Sequence, residues 1–314
     1  MASLQNYIVK QYVRSARNIT IARKHHEDIH KMRRGFELIA SRHPLPDNIY
    51  FKRFFIGNMS AAWILPHKLS PKTAMLYLHG GGYAAGSVNT HKALIAKITK
   101  KAGIAALAID YRLAPEHPFP AALQDAVASY EYLLQQGYLP QNICIAGDSA
   151  GGGLTLATLL YLKQNNRPLP ATAVCISPWT DLAITGASVT GKAHKDPLIL
   201  GHVLSEWALR YAANEPTTHP LISPLYADLA GLPPILIQVG TDEVILDDSV
   251  RFAEKARQQG TDVTLQVWND MIHVWHFHWR ILPEANKAIK DIAVYLHKQI
   301  PELQQTAAAG INMP

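Results

Sequence analysis

The stretch Ile143-Cys144-Ile145-Ala146-Gly147-Asp148-Ser149-Ala150-Gly151-Gly152-Gly153 decides how the rest of the chain is read. A short apolar, β-branched run stops at a glycine, and one serine follows between small residues. Leu154-Thr155-Leu156-Ala157-Thr158-Leu159-Leu160 then continues as a buried helix. This is Gly-x-Ser-x-Gly in a strand–turn–helix context, where the turn is so tight that glycines must flank the serine. Such an elbow lifts the Ser149 hydroxyl off the carboxyl edge of a sheet. It also aims the first helical amides at whatever that hydroxyl attacks. A glycine-rich turn without chemistry would read the same way in isolation, so partners elsewhere must decide.

Outward from the elbow the pattern alternates. Ala74 to Leu78 reads as a strand, His91 to Ala102 as a helix, Ile104 to Ile109 as a strand and Pro120 to Gln135 as a helix. The last of these carries Ala122, Leu123, Ala126, Val127, Tyr130 and Leu134 on one stripe. After the elbow come strands at Ala173–Ile176, Ile235–Val239 and Val263–Val267, with helices near 246–259 and 284–299. Tyr50–Ile56 and Met59–Ile64, broken at Gly57-Asn58, form an antiparallel hairpin. Alternation of this kind implies right-handed crossovers and an α/β fold with a mostly parallel eight-stranded sheet, helices on both faces and the hairpin at one edge.

Two segments stand outside that rhythm. Residues 1–45 read as amphipathic helices ending at Pro44 and Pro46, too short for a core of their own. Between Trp179 and Leu232 no strand occurs, only a short helix at Trp207-Ala208-Leu209-Arg210-Tyr211. An insertion of that length reads as a helical cap over the carboxyl edge of the sheet, where α/β sites lie. The expected organisation is a helical cap segment over 1–45, a catalytic domain over 46–300 with its cap insertion at about 182–231, and a tail over 301–314.

Composition narrows the function classes. With 314 residues, 48% of them hydrophobic and 17% charged, the chain has the make-up of an ordinary globule with a substantial core. No apolar run approaches the ~18 residues of a membrane span. The N-terminus lacks the continuous apolar region and cleavage site of a signal peptide. Cys144 and Cys175 sit inside apolar strands without metal-ligand spacing, as buried free thiols of a reducing cytoplasm. The net charge of +6 comes largely from Arg23, Lys24, Lys31, Arg33 and Arg34, beside Glu27 and Asp28. These read as solvated helix faces, so no nucleic-acid partner is expected.

A serine hydroxyl attacks only when a positioned base takes its proton. After a nucleophile elbow the partners follow in the order Ser, Asp or Glu, His. Asp242 sits in the loop that leaves Ile235–Val239, and His273 in the loop that leaves Val263–Val267, both at the edge that carries Ser149. His273 is then the general base and Asp242 the acid that orients it, with Glu243 and Asp247 as the acids that would stand in for Asp242. His276 and His278 compete with His273 but lie further along a helical segment, and Asp242 or Glu243 could instead cap the helix near Leu246. Upstream, Leu78-His79-Gly80-Gly81-Gly82-Tyr83 follows a strand. The amides of Gly81 and Gly82, with that of Ala150, can surround the oxygen of a tetrahedral intermediate. Gly80-Gly81-Gly82-Tyr83-Ala84-Ala85, followed by a strand ending at Asp110, also outlines a dinucleotide fingerprint, but that reading leaves the elbow, Asp242 and His273 unexplained.

His79-Gly80-Gly81-Gly82, Tyr111-Arg112-Leu113-Ala114-Pro115-Glu116, Gly147-Asp148-Ser149-Ala150-Gly151-Gly152 and Ser177-Pro178-Trp179 together resemble the hormone-sensitive-lipase-like branch of the α/β-hydrolases, in particular its bacterial carboxylesterases. The resemblance runs from about residue 40 to 300. It implies a serine esterase acting on short- to medium-chain acyl esters without cofactor or metal. It also implies Ser149, Asp242 and His273 as triad, and Gly81, Gly82 and Ala150 as oxyanion hole. It allows a homodimer through an exposed sheet edge. Many members have proline after the triad aspartate, where this chain has Glu243. Ser149 and His273 are both kept, which sets the chain apart from branches of the fold that bind without turnover. Trp179, Leu200, Val203 and Trp207 are candidate apolar pocket walls, although ordinary packing between cap and core accounts for them equally well.

Overall fold

Every residue of Ile143–Asp148 is buried, because this strand is covered on both faces and flanked on both sides. That is why its sequence runs apolar without alternation. The computed structural model describes residues 3–22, 28–40 and 44–308. Arg23, Lys24 and Glu27, read above as part of a solvated helical face, lie outside them, as does the expected tail beyond residue 308.

In chain order the elements are α1 (Leu4–Ala22), α2 (Ile29–Ala40), β1 (Ile49–Ile56), β2 (Met59–Pro66), β3 (Ser70–Leu78), α3 (Val88–Ala102), β4 (Ile104–Ile109), α4 (Ala121–Gln135), β5 (Ile143–Asp148) and α5 (Ala150–Gln164). Then come β6 (Thr172–Ile176), α6 (Ser188–Gly191), α7 (Gly201–Ala212), β7 (Ile235–Gly240), α8 (Leu246–Gln258), β8 (Val263–Trp268), α9 (Pro283–Gln299) and α10 (Pro301–Ala308). The eight strands form one sheet in the order β1-β2-β4-β3-β5-β6-β7-β8. Only β1–β2 and β2–β4 pair antiparallel. The remaining neighbours are parallel. This is the α/β-hydrolase fold. The carboxyl ends of β3, β5, β7 and β8 therefore open at one edge, where the loops bearing Gly80, Ser149, Glu243 and His273 begin.

The pleat divides the core into two layers, since neighbouring side chains on a strand point to opposite faces. Leu76 of β3 and Ile145 of β5 pack with Leu156 and Leu159 of α5 and Phe252 of α8. Met75 and Tyr77 pack with Leu94 and Ile98 of α3 and with Ile289, Ile292 and Leu296 of α9. Leu303 is buried in the second layer. Residues 301–308, expected as tail, are thus a docked helix; Pro301 suits a first helical turn, where its missing N–H costs nothing. A third cluster joins Val9 and Val13 of α1 to Met271, Ile272 and Trp275 after β8, so the first helix packs on the loop that carries His273. Both cysteines are free and buried. No helix among the described residues is long and apolar enough to cross a membrane.

Candidate active site

Ser149 stands between β5 and α5 with φ +54° and ψ −122°. A non-glycine residue held there stores backbone strain of order 1–3 kcal/mol, which the surroundings must sustain. They do so through three backbone bonds. Ser149 N–H donates to the Ile176 carbonyl at 2.8 Å, and the Ser149 carbonyl accepts from Gly153 and Trp179. The flanking glycines are forced by close approach. A Cβ on Gly151 would lie 2.0 Å from the Leu78 carbonyl oxygen, and one on Gly147 2.3 Å from that of Gly151.

The loop Gly80–Gly86 lies beside this elbow and is tied to it from behind. The buried Asp148 carboxylate accepts from Tyr77 Oη at 2.8 Å and from Gly80 N–H at 3.2 Å, and His91 Nε2 lies 3.2 Å from its other oxygen. Burial opposes the charge on Asp148, but His91, Tyr77 and His79 outweigh it and hold the pKa below the ordinary value. Tyr111 Oη donates to the His79 carbonyl at 2.7 Å while its ring stacks on His79. Arg33 of α2 donates to the carbonyls of Ala84 and Ala114 and pairs with Glu116. Gly81 and Gly82 have φ +119° and +62°. Among the described residues no hydrogen bond engages the N–H of either. Asp110, the acid of the dinucleotide outline, bonds Arg53, Ser60 and the Val88 N–H at the start of α3. It thereby occupies the helix terminus that a pyrophosphate would need.

At the other side of the elbow, His273 is buried and its Nδ1 lies 2.9 Å from Glu243 Oε2. A carboxylate acceptor at Nδ1 places the ring proton there and leaves Nε2 as the basic nitrogen. Glu243 Oε1 accepts from Ser177 Oγ at 2.7 Å and from Gly240 N–H at 2.6 Å. Burial pulls the His273 pKa down, but the bond to Glu243 and the charges of Glu243, Asp196 and Asp148 overcome it and raise the pKa above 6.5.

Asp242, expected at this position, is not the carboxylate on the ring. Its Oδ2 is paired with Lys10 Nζ at 2.7 Å. The reason lies in the turn after β7, where Glu243 N–H folds back toward the Gly240 carbonyl. Successive side chains of such a turn diverge; Glu243 turns inward to Ser177 and Gly240, and Asp242 outward to α1. Asp247, the other substitute, accepts from Ser188 N–H of α6 at 2.9 Å. His276 is buried against Gln238, and burial lowers its pKa to about 3.

Three contributors lie outside the expected set. Ser177 belongs to the Ser-Pro-Trp block but carried no assigned role; it braces Glu243 and receives the Val274 N–H. Asp196, from the β6–β7 segment, accepts from Val244 N–H at 3.0 Å, directly beside Glu243. Lys10 holds Asp242. Nothing local in the sequence marks a lone aspartate or lysine for such a contact, because each comes from a segment remote along the chain. Of the four pocket-wall candidates, Trp207 lies so close to Gly82 that a Cβ there would sit 1.9 Å from its ring. Leu200 and Val203 are half-buried at the start of α7. Trp179 is only 1% exposed and its ring faces Tyr83, so it supports the elbow from within the core.

The sequence model of the alpha/beta hydrolase fold family matches residues 75–277. An acetyl-hydrolase of Streptomyces hygroscopicus is 47% identical over 241 residues, spanning 77% of this chain and 80% of that protein. The crystal structure of an esterase from the bacterial hormone-sensitive lipase family superposes with a TM-score of 0.89 at 41% identity, covering 96% of this chain and 99% of the other. The esterase EstE5, solved after soaking with p-nitrophenyl butyrate, gives a TM-score of 0.87 at 40% identity over 95% and 99% of the two chains.

Proposed function

The chain belongs to the α/β-hydrolase family, in its hormone-sensitive-lipase branch, and is a carboxylic ester hydrolase; on that premise we propose that it is a serine esterase working through an acyl-enzyme on Ser149. The observation that carries the reading is the convergence of three features on one sheet edge: the strained Ser149, the Glu243–His273 pair and the unengaged amides of Gly81 and Gly82.

In the first step Ser149 Oγ bonds to the ester carbonyl carbon as its proton passes to His273 Nε2, and the carbonyl π pair moves onto oxygen. The N–H groups of Gly81, Gly82 and Ala150 receive that oxyanion. Collapse of the intermediate breaks the C–O bond to the leaving alcohol, which takes the proton from His273. Water then attacks the acyl-serine, giving its proton to the same nitrogen, and the acid departs as Ser149 is reprotonated. Glu243 holds the ring and stabilises the imidazolium that forms twice per cycle. The segment over about 182–231 acts as the cap, and Trp207 against Gly82 bounds the space beside the oxyanion. The relative named for acetyl hydrolysis supports short- to medium-chain acyl esters as substrates.

The reading is tested by exposing the protein to an aryl alkylphosphonate and mapping the adduct by mass spectrometry. Stoichiometric modification of Ser149 with loss of esterase activity is expected; an inactivated protein modified elsewhere would overturn the assignment.

Two further results follow from the geometry. Neutral His273 is the working form, and its raised pKa keeps the ring protonated to higher pH. The acid limb of kcat/KM should therefore have its midpoint above 6.5; a limb below that value would contradict the role given to Glu243. Gly82→Ala forces an L side chain to φ +62° and into the Trp207 ring. Misplacing one oxyanion donor should lower kcat by about 10²–10³-fold. Adding Trp207→Ala opens the space but leaves the φ strain, so the double variant should regain only part of the loss. Full activity in Gly82→Ala would remove this amide from the oxyanion hole.

A further inference from the structure

Helix α1 touches both loops that hold the Glu243–His273 pair. Lys10 Nζ donates to Asp242 Oδ2 at 2.7 Å, one residue before Glu243. Asn6 Nδ2 donates to the Asp270 carbonyl at 2.9 Å, three residues before His273. Val9 and Val13 pack with Met271 and Ile272 in between. The start of the helix is anchored as well, with Ser3 N–H and Oγ donating to the two oxygens of Glu284 on α9. Beneath α1 the two loops interlock: Thr241 N–H bonds the Trp268 carbonyl, Asp242 N–H the Met271 carbonyl and Asp270 N–H the Thr241 hydroxyl.

Asp242 itself is 5% exposed, and its Oδ1 is buried without a hydrogen-bond partner among the described residues. A carboxylate in that setting depends on its counter-ion, since a buried charge left alone is costly. We propose that Lys10 is a positioning residue: by compensating the buried charge of Asp242 it keeps the loop after β7 clasped in place, and so keeps the neighbouring Glu243 against His273. The proposal rests on the reading of Glu243 as the orienting acid. If α1 merely covered apolar surface, Val9 and Val13 would suffice, and a lysine aimed inward at a buried carboxylate would have no use. With the clasp open, the uncompensated Asp242 turns toward water and the peptide it shares with Glu243 turns with it. Misplacement of a catalytic group by about 1 Å can cost about 100-fold in rate.

The test uses the full chain and p-nitrophenyl butyrate. Lys10→Met should lower kcat by about 10- to 100-fold while KM stays within about twofold, because the lysine steers the pair and not the substrate. Lys10→Arg should restore most of kcat. So should the double variant Lys10→Met with Asp242→Asn, which leaves no buried charge to expel, and the non-additivity measures the coupling. A lower melting temperature with unchanged kcat, or a double variant as slow as Lys10→Met, would overturn the clasp. If Lys10→Met does not fold, the arginine and double variants decide alone: both must retain kcat. Glu243→Gln separates the two levels. An active Glu243→Gln removes the reading underneath, whereas an inactive one beside a fully active Lys10→Met removes the clasp only.

Discussion

Ser149→Ala is expected to lower kcat on a short aryl ester by about a millionfold, the size of loss seen when an activated serine is deleted from a working triad. The substitution isolates chemistry from structure unusually well. Alanine, like serine, is an L residue at φ +54°, so the strain of the elbow is the same before and after. The bonds that hold the turn use the backbone of Ser149 with Ile176, Gly153 and Trp179, and they survive the change. The melting temperature should therefore hold while turnover disappears. What remains would be water attack in the presence of the oxyanion donors. That residue of activity should lose phosphonate labelling entirely, because no acyl acceptor is left. A variant that keeps a burst of p-nitrophenol would place the nucleophile elsewhere.

The reach of sequence reasoning in this chain follows from the range of each interaction. The elbow is local: Gly147, Ser149 and Gly151 need one another within five residues, so their pattern carries their geometry. The sheet was legible because apolar runs alternating with helical stripes admit few topologies, and the hairpin turned at Gly57-Asn58 as read. His273 could be placed because it is the first of three histidines after the last strand and sits in the loop itself, whereas His276 and His278 lie in the helical turn beyond it. The choice between Asp242 and Glu243 was not legible, although both were in view. Two acids in adjacent turn positions differ in which way each side chain faces, and here that is set by Ser177 just after β6 and by Lys10 from α1, contacts that span 66 and 232 residues. Asp196 escaped for the same reason as Lys10, since its partner Val244 lies 48 residues away.

Those two adjacent acids give the second large effect. Glu243→Gln should lower kcat by about 10⁴-fold, and Asp242→Asn by no more than about tenfold. Glutamine preserves the length of Glu243 and can still accept from Gly240 and Ser177 through one oxygen. It then presents an amide N–H₂ to His273 Nδ1, which must become the acceptor. The ring proton moves to Nε2, the nitrogen that should receive the serine proton, and general-base catalysis stops. The same substitution removes the charge that keeps the His273 pKa up against burial, so whatever activity remains should titrate with its acid limb displaced to lower pH. Asp242→Asn leaves the His273–Glu243 bond in place and exchanges only an ion pair with Lys10 for a neutral contact. Activities and pH profiles of the two variants, measured side by side on one ester, give a ranking that has only one reading. If Asp242→Asn were the inactive protein and Glu243→Gln the active one, the hydrogen bond from His273 to Glu243 would be a bystander to the reaction.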